Sequence, residues 1–307
     1  MFDLRVFYKL IFLVGVLLVF VPGCDGRGGV DVPSDSDFVE MELGGRIYNN
    51  DPRASVEDVY GDSSADEIMA DVDQGDPYAT MLLGLLYSSG SSRYDISLDH
   101  EKGLELLEKA WRIGVVDAGY SLFQVYGQQK DQGRSREISV SYLQASAEMG
   151  YIKSQLELAE DYFGRGEWDY FSTDYDLARE WYTKAAEQGE IESGIALANI
   201  YHEGLGVEKD DSLAFSWMSR VEGMEYGNVS LAFSGLAKMY QEGIGTNINL
   251  VQAYKYYDLR GTAGISDKER LSEQMTQEQI QEAIRLSGEW QREHNISMPN
   301  SEGYHYR

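Results

Sequence analysis

Residues 178–206, AREWYTKAAEQGEIESGIALANIYHEGLG, hold the pattern that decides the fold. Small residues (Ala178, Ala185, Ala186, Gly194, Ala196, Ala198) alternate at helical spacing with large ones (Trp181, Tyr182, Leu197, Ile200, Tyr201). Gly189 falls between the two halves. A small side chain lets a neighbouring helix backbone approach, and a bulky one a turn away fills the groove beside it. Glycine at the junction can take the left-handed conformation that ends a helix. The stretch therefore reads as a second helix of one unit, a tight turn, and the first helix of the next.

The same marks recur on both sides. An aromatic closes the first helix at Tyr87, Tyr126, Tyr162, Tyr201 and Tyr240, spaced 39, 36, 39 and 39 residues apart. A small residue opens the second helix at Gly103, Ser139, Ala178, Ala214 and Ala253, followed three residues on by Leu106, Tyr142, Trp181, Trp217 and Tyr256. Glycine ends the second helix at Gly75, Gly114, Gly150, Gly189 and Gly264, with Glu225 in the one slot that lacks it. Three independent marks on nearly one period predict helix pairs that bury their apolar faces only by stacking on their neighbours, a solenoid.

The motifs resemble the Sel-one-like repeat, a longer relative of the 34-residue tetratricopeptide repeat. That family joins a leucine-(glycine or alanine)-x-x-tyrosine helix, through a glycine turn and an acidic residue, to an alanine-aromatic helix ending AAEQG. Leu83-Gly84 with Tyr87, and Leu236-Ala237 with Tyr240 and Gly243-Ile244-Gly245, match it in the first and fifth units. The second unit departs, with Phe123 at the small position and Gln128-Gln129 for the glycine turn. The third carries an expanded turn, FGRGEWDYFSTD. The resemblance implies an all-α fold, a right-handed α/α solenoid of about five helix pairs, and adaptor or scaffold work rather than catalysis.

The expected organisation is a signal segment over 1–23, a lipidated amino terminus and flexible linker over 24–63, the array over 64–265, capping helices over 266–294 and a disordered tail over 295–307. Ser64 to Gln74 reads as an unpaired helix opening the array, and Ser266 to Glu269 and Thr276 to Gln279 as capping boxes that start two closing helices.

Residues 1–23 carry Arg5 and Lys9 ahead of an apolar run from Leu10 to Val21, the layout of a secretory signal. Val21-Pro22-Gly23-Cys24 resembles a bacterial lipobox, which implies acylation of Cys24 and an envelope location facing the periplasm, on the inner or the outer membrane. Cys24 is the one cysteine of the chain, so an internal disulfide and a cysteine-rich zinc site are excluded.

Twenty-six Lys and Arg stand against 52 Asp and Glu, a formal net charge of −26 that repels phosphate backbones and disfavours a nucleic-acid partner. His100, His202, His294 and His305 lie far apart, with no metal-ligand spacing, and no nucleophile elbow is present, so neither a cofactor nor a catalytic set is expected. Candidate contact residues for a protein or peptide partner are Trp168 and Tyr170, aromatics of the expanded third turn that are either exposed anchors or folded onto their own array. Cysteine-rich relatives described as hydrolases of penicillin-like substrates carry a cysteine pair in each repeat, which this chain lacks; a structural, wall-associated element is the remaining alternative.

Overall fold

In a computed structural model of the chain, residue 56 and residues 60–128 and 134–296 are described. Among them all regular structure is helical, apart from two isolated bridges. The α-helices are α1 (Ala65–Asp73), α2 (Pro77–Ser89), α3 (His100–Arg112), α4 (Asp117–Gly127), α5 (Arg134–Glu148), α6 (Ile152–Phe163), α7 (Tyr175–Glu187), α8 (Ile191–Glu203), α9 (Asp211–Arg220), α10 (Phe233–Glu242), α11 (Leu250–Leu259), α12 (Ile265–Ser272) and α13 (Gln277–Glu293). Helices α2/α3, α4/α5, α6/α7, α8/α9 and α10/α11 pack as five pairs, each resting on the next, while α1 covers α2 at one end and α13 covers α11 at the other. This is an α/α solenoid. The first helix of each pair is called the A helix below and the second the B helix.

The periodic tyrosines do more than fill space. In four units the tyrosine carbonyl accepts the backbone N–H of the residue capping the B helix, at 2.8 Å each: Tyr87 from Asp99, Tyr162 from Asp174, Tyr201 from Asp210 and Tyr240 from Asn249. Those four caps in turn accept backbone N–H groups of the first helical turn, a contribution of about 1 kcal/mol apiece. The tyrosine and the start of the B helix are thus two ends of one clamp, whether they stand 12 residues apart, as in the first and third units, or 9, as in the fourth and fifth. The rings pack across the pair, Tyr126 stacked on Tyr142 and Tyr240 on Tyr256.

The small residues lie at the A/B contact. Ala178, Ala214 and Ala253 are fully buried, and a Cβ on Gly103 would stand 2.3 Å from Ser88 Oγ and 2.9 Å from the Gly84 carbonyl oxygen. One core cluster runs from Ala159 in the third unit to Trp290 in α13; another gathers Ile68, Leu82, Leu86 and Tyr94 at the opposite end.

Gly75, Gly114, Gly150 and Gly189 all have positive φ, from 89° to 98°, as a helix-ending glycine should. Two sequence expectations are corrected. Gly264 has φ −94°, and the left-handed residue after α11 is Gly261 at φ 60°; Gly264 is needed instead because a Cβ there would stand 1.8 Å from the Tyr257 carbonyl oxygen. Ser266 does not cap α12, whose capping position is Gly264 with no side-chain bond, since a 3-10 turn over Gly261–Gly264 runs directly into the helix. The expected box at Thr276/Gln279 is formed, and Ser64 and Glu67 form a further one at the start of α1.

The missing glycine at Glu225 also has a structural reason. Helix α9 ends at Arg220, and a 3-10 turn (Val221–Gly223) leads the chain back across the previous turn. There Ile191 donates its N–H to the Tyr226 carbonyl at 2.9 Å, and Tyr226 donates to the Gly189 carbonyl at 3.0 Å. Asn228 then caps a second 3-10 turn, Val229–Ala232, ahead of α10.

Candidate functional site: the face lined by the A helices

That detour builds a groove. Glu160 on α6, Glu192, Ile195, Ala196 and Asn199 on α8, Arg165 from the third turn and Leu231 from the second 3-10 turn line a cleft of about 230 Å³. Leu231 is 52% exposed, one of the few large apolar side chains standing in solvent among the described residues. Ala196, 5% exposed, forms part of the floor. Glu160 is oriented from below by the buried Tyr182 of α7, whose hydroxyl donates to Glu160 Oε1 at 2.7 Å. The Arg165 guanidinium lies over the Phe163 ring, 4.2 Å from its centroid.

One turn before Glu160, Glu157 accepts from the Tyr120 hydroxyl at 3.5 Å. Burial, with Asp161, Glu167 and Glu160 around it, pushes the Glu157 carboxyl above the usual carboxylate range, against the opposing pull of the Tyr120 bond. A carboxyl with a raised folded-state pKa binds more protons folded than unfolded, so its stabilising effect is present in acid and is lost as the pH rises from the unfolded value toward the folded one. Glu157→Gln is therefore expected to raise Tm at neutral pH, with the gap closing as the pH falls from the raised folded-state value toward about 4.3, the ordinary Glu value, and absent below it. Melting curves across that range check it, and a gap independent of pH would contradict it.

Trp168 and Tyr170, both half-buried, belong to the same turn as Arg165. Their rings stack on each other at 5.9 Å and meet Phe123 edge-on at 5.5 and 6.1 Å. The loop is pinned from beneath: the buried Asp161 carboxylate accepts the N–H groups of Tyr170 and Phe171, and Arg136 donates to the carbonyls of Asp169 and Tyr170. A Cβ on Gly127 would stand 2.8 Å from both aromatic side chains. The irregularities of the second and third units are thus one feature, in which the long aromatic turn of the third packs on the Phe123 and Gly127 of the second. Of the two placements open to these aromatics, the structure shows the folded one, with an edge left accessible.

Cys24 and His305 lie outside the described residues. His202 pairs with Asp211 at 2.6 Å on the surface, and His294 stacks on Trp290, so the histidines belong to separate local contacts. The groove residues themselves were not singled out by sequence. Glu160, Glu192, Ile195 and Leu231 occupy positions that vary between units, and no periodic mark points to them; the available signal was a leucine at 231 in the one junction where the glycine mark fails.

The Sel1 repeat signature matches residues 77–112, 117–151, 152–190, 195–220 and 232–259, together just over half of the chain. The chain belongs to the Sel1 repeat family. Proteins of the Sel1 repeat family serve as protein-interaction scaffolds or adaptors and are in general non-catalytic. Among relatives, an exopolysaccharide production negative regulator of Rhizobium leguminosarum bv. viciae is 35% identical over 118 residues, covering 35% of this chain and 44% of the regulator. A chitin synthase regulator of Saccharomyces cerevisiae is 30% identical over 135 residues, covering 43% of this chain and 18% of that protein. The crystal structure of a protective antigen present in uropathogenic Escherichia coli strains, which displays an SLR fold, superposes with a TM-score of 0.57 at 26% identity, over 74% of this chain and 48% of the antigen. The chain spans less than half the length of each.

Proposed function

We propose that this Sel1 repeat protein is a non-catalytic adaptor, lipid-anchored in a bacterial cell envelope, that holds a protein or peptide partner on the face lined by its A helices. The observation that supports the reading best is the groove formed by α6, α8 and the turns beside them, where an exposed leucine, an isoleucine and hydrogen-bonding side chains stand together. A pre-formed surface loses little conformational entropy on binding. Trp168 and Tyr170, held in place by Asp161 and Arg136, add aromatic contact area from the same loop that supplies Arg165. The anchoring part of the proposal rests on the sequence of residues 1–24, with the arginine and lysine, the apolar run and the cysteine in lipoprotein order. Acyl chains would tether the acidic array through about 0.8 kcal/mol for each buried methylene. Cys24→Ala is expected to shift the protein from the membrane to the soluble fraction of broken cells; a variant retained as tightly as the parent would rule out acylation at that residue.

A further inference from the structure

The geometry points to a cationic partner segment as the occupant of the groove, with an aliphatic side chain seated against Ile195 and Leu231 and flanking lysine or arginine side chains at Glu160 and Glu192. This deepens the adaptor reading and rests on it. Three observations carry it. First, the cleft is local and small, about 230 Å³, which suits side chains from a segment and not the flank of a folded domain. Second, no cation among the described residues lies within ion-pair distance of Glu157, Glu160 or Glu192, although ion pairs are formed elsewhere on the array. The one guanidinium in the lining, that of Arg165, is turned over the Phe163 ring. Third, Leu231 reaches this face through the detour at residues 221–232, which the regular repeat does not have, so the pocket is particular to this junction.

The resulting surface combines Ile195, Ala196 and Leu231 with the carboxylates of Glu160 and Glu192, on a chain of net charge −26. Such a field speeds the approach of a basic segment and repels an acidic one, while the leucine and isoleucine select for an apolar residue between the charges.

The test uses the full chain and three labelled synthetic peptides of equal length: alternating leucine and lysine, alternating leucine and glutamate, and alternating serine and lysine. The leucine-lysine peptide is expected to bind saturably, and each of the other two at least about tenfold more weakly, which corresponds to about 1.4 kcal/mol. Glu160→Gln/Glu192→Gln and, separately, Leu231→Asp should each weaken the leucine-lysine peptide by about tenfold or more, whereas the exposed control pair Glu208→Gln/Glu269→Gln should change it by less than about twofold. The amide introduced by Glu160→Gln can still accept from Tyr182, and unchanged melting curves show that the variants fold. Equal losses in groove and control variants, or equal binding of the serine-lysine peptide, would reduce the effect to bulk charge and overturn the assignment. An envelope partner retained equally by the parent and the groove variants overturns it too, and with it the placement of the partner on this face, while leaving intact the reading that the protein is an adaptor. Failure to retain any saturable partner overturns the adaptor reading and this inference with it.

Discussion

Lys268→Ala is expected to destabilise the carboxyl-terminal end of the array by about 3–5 kcal/mol, the range for removing one partner of a buried ion pair. Lys268 on α12 donates to Asp258 Oδ1 of α11 at 2.6 Å, with side-chain exposures of 7% and 1%. Alanine would leave the Asp258 carboxylate in the core without its ammonium, and would also remove the aliphatic stem that packs with it. In a stacked array such a loss is felt first by the neighbours, so α11 to α13 should gain hydrogen exchange ahead of the first units. Asp258→Asn/Lys268→Met, which removes both charges together, should recover most of the loss, because a pair of neutral side chains no longer has a charge to desolvate. A loss under about 1 kcal/mol for Lys268→Ala, the value of an exposed pair, would mean that the pair is hydrated and not part of the core.

Gly103→Val is the second large effect, expected at about 3 kcal/mol or more, at or beyond the top of the usual range for overpacking. A Cβ at 103 meets Ser88 Oγ at 2.3 Å, the Ser88 nitrogen at 2.7 Å and the Gly84 carbonyl oxygen at 2.9 Å. Two of those three atoms are backbone, so relief requires α3 to move away from α2 and not a change of rotamer. The first unit should open while units three to five stay protected. At the matching position of the fourth unit, Ala214→Gly should cost only about 1 kcal/mol of helix propensity together with its lost methyl contacts, since that contact already accommodates a Cβ. Hydrogen exchange resolved by helix separates the two outcomes, and uniform destabilisation along the whole array would contradict the nearest-neighbour picture.

These two positions show what the sequence could and could not disclose. Gly103 was legible because it recurs in a series with Ser139, Ala178, Ala214 and Ala253, and a series at one period is a statement about packing. The tyrosine series was legible for the same reason, although its backbone role, the carbonyl that receives the B-helix cap, appears only once the two helices are side by side. Gly264 misled: it falls at the expected spacing, but a 3-10 turn moved the left-handed residue to Gly261, and local hydrogen bonding of that kind leaves no periodic trace. Lys268 and Asp258 were invisible as a pair, because each looks like an ordinary surface charge until α12 folds over α11.

The groove lies further still from what periodicity can report. Its residues belong to A helices of different units and to a detour where the repeat breaks. The departures of the second and third units from the repeat pattern are brought together by Trp168 and Tyr170, which pack on Phe123. The third departure, at Glu225, is the one that places Leu231 on the A-helix face.

The most direct test of the adaptor account is capture of partners from a cell-envelope extract by the full chain, side by side with Ile195→Asp/Leu231→Asp. The account predicts that the parent retains a protein saturably and in fixed proportion, and that the variant, folded by its melting curve, loses it. Equal retention by both, or no saturable retention by the parent, would contradict the claim that this face of the array is where it works.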